Sequence, residues 1–215
     1  MTVRVLLADD HQLFREALRM LLDREATMEV VAETGDGLEV VKLARETRPH
    51  VVCMDIGLPG MNGIETTRRL IAACPDIKVI GLSAHYDQRY VLDMLDAGAS
   101  AYVTKAAAGA ELLRAVKAVQ SGQTYLSPDA VAAVTPDRLK QNGQQAANGA
   151  ASLAPRERQV LQLVAEGHSS AQISALLHIA PSTVDVHRRN IMRKLDLHSI
   201  AELTKFAIRY GLTSG

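Results

Sequence analysis

Five polar side chains stand at the ends of short apolar runs. In chain order they are Asp9, Asp10, Asp55, Ser83 and Lys105. Carboxylates that converge without a cation repel one another, and their hard oxygen atoms suit Mg²⁺ better than zinc. Beside such a metal one aspartate can attack phosphorus, while a hydroxyl and an ammonium contact the phosphoryl oxygens. The set therefore predicts a phosphoryl-acceptor site that uses Mg²⁺.

Strands and helices alternate over the first 122 residues and would position this set. Short runs rich in Val, Ile and Leu predict buried strands at Val3–Ala8, Glu29–Ala32, His50–Met54, Val79–Ser83 and Ala101–Thr104. Amphipathic stretches predict helices at Gln12–Arg24, Leu38–Thr47, Gly63–Ala73, Gln88–Ala97 and Ala110–Ser121. Five such repeats predict an α/β fold with a five-stranded doubly wound parallel sheet, whose strand ends share one edge.

Each of these polar residues alone has a more ordinary explanation. An aspartate that ends a strand is most often a helix cap, and a single lysine most often lies at the surface. The agreement of all five positions with successive loops favours a shared site. For His11 and Cys53, whose chemistry is also suggestive, we favour structural roles.

Composition excludes several classes of protein. Hydrophobic residues make up 47% and charged residues 22% of the chain, which is typical of globular domains. No apolar run approaches the roughly 18 residues of a membrane span. The N-terminus lacks a signal-peptide pattern, and two cysteines cannot build a disulfide framework. We therefore expect a cytoplasmic protein with no membrane partner.

The texture of the sequence changes near residue 125. Prolines and a polar, small-residue stretch predict a flexible linker over 125–151, between domains over 1–124 and 152–215. Part of Asp129–Leu139 could instead form a frayed helix. The second domain is predicted to be small and all-α, with helices at Ala154–Gly167, Ser170–Leu177, Ser182–Leu195 and Ile200–Tyr210. We expect inward-facing residues at Ile173, Leu176, Leu177, Val184, Ile191 and Leu195.

The two middle helices of this domain have helix–turn–helix spacing. The zero net charge of the chain conceals an excess of three cations in residues 152–215, and half of the cations there fall within 188–194. A basic cluster on one short element is typical of a phosphate-backbone binder, although a solvated helix face explains it equally well. The face predicted to enter a DNA groove carries Asp185, Arg188, Arg189 and Lys194.

The first 122 residues resemble the receiver domain of two-component response regulators. The resemblance is carried by Asp9-Asp10-His11, by the run from Asp55 to Gly63, by Ser83-Ala84 and by the run from Ala101 to Lys105. It implies a flavodoxin-like fold in which Asp55 accepts a phosphoryl group from a sensor histidine kinase. It also implies that Asp10, Asp55 and the Gly57 carbonyl bind Mg²⁺ directly, with Asp9 acting through water. Ser83 and Lys105 would contact the phosphoryl group, and the Tyr102 ring would turn inward in response.

The second domain resembles the LuxR-type DNA-binding domain. The resemblance is carried by the run from Leu153 to Leu161 and by Gly167, Thr183-Val184, His187, Asn190-Ile191 and Lys194-Leu195. Joined to a receiver, the chain is similar to the NarL/FixJ family of transcriptional regulators. This implies base contacts by Asp185, Val186 and Arg189, within a DNA-contacting set of Thr183, Asp185, Val186, His187, Arg188, Arg189, Asn190 and Lys194. The family often has lysine at the position of Asp185. Since a carboxylate can accept a hydrogen bond from the amino group of cytosine but cannot donate one to guanine or a phosphate, we expect an altered operator preference.

Together these features predict a phosphorylation-controlled transcription regulator and not an enzyme. Phosphorylation of Asp55 would control dimerisation, exposure of the DNA-binding domain, or both. The predicted partners are a histidine kinase, double-stranded DNA and a second copy of the chain. Candidate dimer faces are the helix Gln88–Ala97 with the strand after it, and the last helix, whose Leu203, Phe206, Ala207 and Tyr210 could equally close the small core. Gly57 and His85 lie near the acceptor and could set the lifetime of the phosphorylated state.

Two other classes stay open. One is a regulator of the same architecture that acts without phosphorylation, against which the complete acidic set argues. The other is an enzyme with an aspartyl-phosphate intermediate. Such an enzyme usually has a second acid two residues after the nucleophile, and Gly57 occupies that position; no segment is left over for a substrate-binding cap.

Overall fold

The computed structural model describes residues 2–84, 88–134, 153–210 and 212–213. The chain divides into two compact units, residues 1–138 and 139–215. Each unit has its own hydrophobic core, and each is described by itself below.

The first unit is a parallel sheet with helices on both faces. Its strands are β1 (Val3–Ala8), β2 (Met28–Thr34), β3 (Val51–Asp55), β4 (Lys78–Ser83), β5 (Ala101–Thr104) and β6 (Tyr125–Leu126). Its helices are α1 (Gln12–Asp23), α2 (Gly37–Thr47), α3 (Gly63–Ala73), α4 (Gln88–Asp96), α5 (Ala108–Gln120) and α6 (Pro128–Val134). The strand order is β2-β1-β3-β4-β5-β6, which confirms the predicted α/β class.

The sheet has six strands rather than the predicted five. Residues 125–134, predicted to be linker, form β6 and α6. β6 pairs in parallel with β5, and Ala130 and Ala133 of α6 are buried. The prediction of a flexible linker is therefore wrong over these ten residues, and α6 overlaps the frayed helix that the sequence allows within Asp129–Leu139. The rest of the predicted linker, from 135 to 151, lies outside the described residues.

The period-two alternation of the strands divides the core into two layers. Along β1, Leu6 and Ala8 join the layer beneath α2, α3, α4 and α6, whereas Val5 and Leu7 join the layer beneath α1 and α5. β3 is buried along its whole length because strands flank it on both edges and helices cover both faces. The strand that carries the predicted acceptor is thus enclosed on both edges and both faces.

The second unit consists of α7 (Pro155–Ala165), α8 (Ser170–Leu177), α9 (Pro181–Leu195) and α10 (Ile200–Arg209) within its described residues. Prolines begin α7 and α9, and the Ser169 and Ser199 hydroxyls cap α8 and α10. Five of the six predicted inward residues are buried or half-buried, but Leu176 is 40% exposed, so that prediction is wrong. A two-turn helix can turn only a narrow stripe inward, and Ile173 and Leu177 fill it.

Among the described residues, no helix is both long enough and apolar enough to cross a membrane.

Candidate functional site

The carboxyl ends of β1, β3, β4 and β5 meet at one edge of the sheet. β1 lies beside β3, where Ala8 pairs with Met54, and β4 lies between β3 and β5. Asp9 follows β1, Asp55 ends β3, Ser83 ends β4 and Lys105 follows β5. The parallel register therefore brings residues that are far apart in sequence to one edge of the fold.

Lys105 joins two buried carboxylates. Its Nζ lies 2.8 Å from Asp55 Oδ2 and 2.8 Å from Asp9 Oδ2. Asp9 is 1% and Asp55 is 4% exposed, so their charges are poorly hydrated. Both contacts are within hydrogen-bond distance, and the contact with Asp55 also has hydrogen-bond geometry. One ammonium thus partly neutralises two buried carboxylates, and the pair keeps an excess of negative charge.

The pKa values of the pair follow from burial and charge. Burial, and next the charge of Asp9, raise the pKa of Asp55 above its ordinary value, although the nearby Lys105 opposes them. Burial alone would lower the pKa of Lys105, but the charge and hydrogen bond of Asp55, with those of Asp9, raise it overall. The lysine is therefore a permanent cation, and the cluster gains by taking up a further positive charge.

Asp10 and His11 complete the acidic cluster. One ligand atom from each of Asp9, Asp10, His11 and Asp55 lies within 4.8 Å of the others. His11 Nδ1 lies 2.6 Å from Asp10 Oδ1, and the His11 backbone N–H donates to Asp9 Oδ1 over 2.9 Å. Three carboxylates within reach of one another are the hard donor set that Mg²⁺ prefers. The residues present therefore fit a divalent cation such as Mg²⁺.

The remaining predicted residues lie around this cluster. Ser83 is 2% exposed, and the Tyr102 side chain is fully buried in the core layer beneath α4. The Gly57 N–H donates to Asp55 Oδ1 over 3.3 Å, which turns the loop after β3 back over the carboxylate. Of the predicted set, direct contacts thus join Asp9, Asp55, Gly57 and Lys105.

Sequence reasoning missed two residues of α1 that hold the cluster in place. The Phe14 ring lies 5.0 Å from Lys105 Nζ, and Arg15 donates a hydrogen bond to the Asp9 backbone carbonyl. Their position on the first turns of the helix that follows Asp10 could have indicated that they lie near the cluster. Only the fold shows that this face of the helix reaches Lys105.

The predicted DNA-contacting residues lie on α9. Val184 and Ile191 turn into the core, whereas Thr183, Asp185, Val186 and Arg189 are exposed and His187, Arg188 and Asn190 are half-buried. The Ser170 hydroxyl donates to Asp185 Oδ1 over 2.9 Å and accepts from Arg188 Nη1 over 3.2 Å. Asp185 therefore helps to orient Arg188 through a serine of α8.

Lys194 has an internal partner. Its Nζ donates to Glu157 Oε2 over 2.6 Å, and the same oxygen accepts the Ala154 N–H over 2.8 Å. Burial alone would raise the pKa of Glu157, but these two hydrogen bonds, together with the charges of Lys194 and His187, outweigh it and the pKa is lowered. The lysine thus ties the end of α9 to the start of α7, a role that its place in a basic cluster did not indicate.

Two family models match this chain. Residues 5–117 match the response regulator receiver domain, and residues 151–207 match the luxR family of bacterial regulatory proteins. The chain therefore belongs to the NarL/FixJ family of two-component response regulators, whose members regulate transcription.

Curated relatives match the chain over nearly its whole length. It is 34% identical to the response regulator UvrY of Escherichia coli K12, over 98% of this chain and 95% of that protein. It is 36% identical to the response regulator GacA of Pseudomonas aeruginosa, over 98% of this chain and 97% of that protein. Both domains are therefore shared with these relatives in the same order.

Solved structures agree with this assignment. The response regulator ChrA of a heme-sensing two-component system is 31% identical, with a TM-score of 0.54 over 98% of each chain. A LuxR-family response regulator from Aurantimonas is 38% identical over 65% of this chain and 99% of that chain, with a TM-score of 0.62. RcsB of Salmonella typhimurium, at 24% identity and a TM-score of 0.68 over 97% of this chain and 98% of that chain, supports the fold alone.

Proposed function

We propose that Asp55 accepts a phosphoryl group from a histidine kinase and that the resulting charge controls DNA binding by α9. The observation that carries the proposal is the Lys105 ammonium, which lies 2.8 Å from both Asp55 Oδ2 and Asp9 Oδ2 at the carboxyl ends of the strands. A cation held there can contact a phosphoryl oxygen once the acceptor loses its own negative charge.

The transfer is a displacement at phosphorus. An oxygen of Asp55 attacks the phosphorus of a phosphohistidine, the new O–P bond forms as the P–N bond breaks, and the histidine nitrogen leaves with the electron pair. The product is a mixed anhydride. When bound by Asp9, Asp10 and Asp55, Mg²⁺ would neutralise charge on the transferring group. Lys105 holds the acceptor in place beforehand, since it already donates to Asp55.

Labelling by a small phosphodonor, with and without Mg²⁺, tests this proposal. Asp55→Asn should abolish labelling, and chelation of the metal should reduce it. Asp76→Asn is the matched control, because Asp76 is an exposed aspartate outside the acidic cluster. Full labelling of Asp55→Asn would refute the acceptor assignment. A label that survives both alkali and hydroxylamine would contradict a mixed anhydride and indicate an entirely different site, whereas turnover of a phosphoester substrate would favour the enzyme alternative.

We also propose that the exposed face of α9 binds the major groove of DNA. Arg189 makes no hydrogen bond or ion pair with the part of the chain that the structure describes, so its guanidinium is available for a base or phosphate. Val186, 44% exposed, offers an apolar contact such as a thymine methyl. Lys194, already held by Glu157, contributes less than its charge suggests.

A binding selection tests the role of Asp185. Asp185→Lys should shift the preferred operator if the carboxylate reads a base, whereas Asp185→Asn keeps an acceptor for Ser170 and separates charge from orientation of Arg188. An unchanged sequence preference in both variants would refute a reading role.

We propose further that Gly57 affects the lifetime of the phosphorylated state. A Cβ on Gly57 would lie 3.9 Å from Asp55 Oδ2 with no other atom within 4 Å apart from the chain neighbours, so a longer side chain has room beside the acceptor. Gly57→Arg should therefore change the dephosphorylation rate, and an unchanged rate would contradict the idea. His85, the other predicted residue, lies outside the described residues.

A homodimer is also proposed, but two of the four residues suggested for its α10 face are buried. Leu203 and Ala207 of α10 are buried in the core of the second unit, and Phe206 stacks on Tyr210 at a centroid distance of 4.0 Å. For Leu203 and Ala207 the structural role is therefore the observed one. A dimer through α10 would have to use its exposed residues, among them Ile200 and Ile208.

A further inference from the structure

Residues 125–134, here called the strap, lie along the edge of β5 and against α4. The Tyr125 N–H donates to the Ser100 carbonyl over 3.1 Å, and the Ser127 N–H donates to the Tyr102 carbonyl over 2.9 Å. The Ser127 side chain is fully buried. The strap therefore closes the edge of the sheet that a five-stranded receiver would leave open.

The helical part of the strap is too short to be stable without docking. α6 has seven residues, and isolated helices shorter than about 12 residues are marginal in water. Its docked side consists of Ala130 and Ala133, which are 0% and 2% exposed, and the partly buried Val134, whereas Val131 is 46% exposed. Only Val134 among these is larger than alanine, so α6 itself buries little apolar surface and its order depends on the elements beneath it.

The strap contacts the strand that carries the switch residues. Thr104 stands between Tyr102 and Lys105 on this strand and the turn after it. The Thr104 hydroxyl donates to Asp129 Oδ2 and the Thr104 N–H donates to Ser127 Oγ, both over 3.4 Å, which is long for hydrogen bonds. The neighbouring Lys105 holds Asp55. A movement of the backbone near Thr104 and Lys105 would therefore change the contacts of both the acceptor and the strap.

We propose that the strap is coupled to the acceptor site, so that docking of the strap and phosphorylation of Asp55 stabilise the same arrangement of β5. The sign of the coupling comes from Tyr102. Its ring is fully buried in the same core layer as Ala130, and β6 covers the edge past which the ring would otherwise turn outward. A docked strap thus favours the inward ring, the orientation expected when Ser83 and Lys105 contact a phosphoryl group.

The proposal rests on the phosphoryl-acceptor function of Asp55 and adds a reciprocal consequence. If phosphorylation favours docking by some factor, a docked strap must favour binding of a phosphoryl mimic by the same factor, commonly about 5- to 150-fold. Weakening the strap should therefore lower the affinity for Mg²⁺ and beryllofluoride without touching any residue of the acidic cluster.

Hydrogen exchange of the full chain tests the forward direction. Addition of Mg²⁺ with beryllofluoride should slow the exchange of amides in residues 125–134 by fivefold or more. Binding of the mimic with unchanged or faster exchange there would overturn the coupling while leaving the acceptor function intact. Failure of the mimic to bind at all would overturn the acceptor function, and this inference with it.

Two matched variants test the reverse direction. Ala130→Glu places a carboxylate on the docked side of α6, and Val131→Glu places the same group on the exposed side one residue further on. Ala130→Glu should bind beryllofluoride at least fivefold more weakly than Val131→Glu, which should match the unmodified chain. Equal affinities would refute the proposal.

A milder variant covers the case in which Ala130→Glu fails to fold. Ser127→Ala removes only the oxygen that accepts the Thr104 N–H. It should leave the unfolding transition of the first unit in place, speed exchange in residues 128–134 and weaken beryllofluoride binding. A loosened strap with undiminished affinity for the mimic would count against the coupling.

Discussion

Gly63, at the start of α3, provides a quantitative test of how the acceptor strand is held. Its N–H donates to the Ile56 carbonyl over 2.9 Å, so α3 begins directly against the end of β3. A Cβ on Gly63 would lie 2.0 Å from the Asp55 carbonyl oxygen and 2.9 Å from the carbonyl carbon. Contacts between carbon and carbonyl oxygen are usually about 3.3–3.6 Å, so Gly63→Ala must displace the backbone of Asp55 by more than about 1 Å.

Such overpacking costs roughly 1–3 kcal/mol and occasionally more. Because the atoms in the way are backbone atoms at the rigid centre of the sheet, we expect about 3 kcal/mol for Gly63→Ala. With a urea m-value of about 2 kcal/mol/M, the unfolding midpoint of the first unit should fall by about 1.5 M. A shift of 1 Å at the acceptor should also slow phosphorylation, by up to about 100-fold.

Gly109→Ala is the matched control. Gly109 lies in α5, where a Cβ would meet no atom within 4 Å, and alanine is a better helix former by roughly 0.5–1 kcal/mol. This variant should raise the midpoint slightly and leave phosphorylation unchanged. If urea titrations gave both variants the same midpoint, the steric argument for Gly63 would be wrong.

Three further predictions concern titration and reactivity. Mg²⁺ binding, measured by calorimetry, should weaken as the pH falls from neutrality, because burial raises the pKa of Asp55 and a protonated carboxyl is a poor ligand; a pH-independent affinity would contradict this. Lys194→Met should lower the free energy of unfolding of the second unit by about 1 kcal/mol at pH 7. Since the pKa of Glu157 is lowered in the folded state, this stabilisation is present above the ordinary glutamate pKa and lost below it, so the two proteins should become equally stable in acid. Burial raises the pKa of Cys53 to about 12, so alkylation of the native chain at pH 8, followed by mass spectrometry, should modify the half-buried Cys74 and spare Cys53 until urea is added.

The parts that sequence predicted well are those with strong local signals. A buried parallel strand is a short apolar run, and the polar residue that ends it marks the functional edge of the sheet. The predicted bounds of β1 and β5 agree with the structure at both ends. The convergence of Asp9, Asp55 and Lys105 could be predicted because parallel strands with crossover helices bring all their carboxyl ends to one edge.

The parts that sequence reasoning missed depend on contacts distant in the chain. The local signal for α6 allowed only a frayed helix within Asp129–Leu139, and its docking could not be predicted, since Ala130 and Ala133 are ordinary in an alanine-rich segment until α4 and β5 are placed beneath them. The pairing of Lys194 with Glu157 joins residues 37 apart, and nothing in the local sequence around either residue indicates the other. The prediction that Leu176 faces the core was wrong for a different reason, because this two-turn helix has more apolar residues than its buried stripe can hold.

The strap also protects the first unit from pairing with other chains. It supplies the Tyr125 and Ser127 N–H groups that donate to the Ser100 and Tyr102 carbonyls. Release of the strap would remove these donors from the edge of β5, and an unpaired strand edge is a template for β-pairing with another chain. Ala130→Glu, which loosens the strap, should therefore aggregate more readily than Val131→Glu.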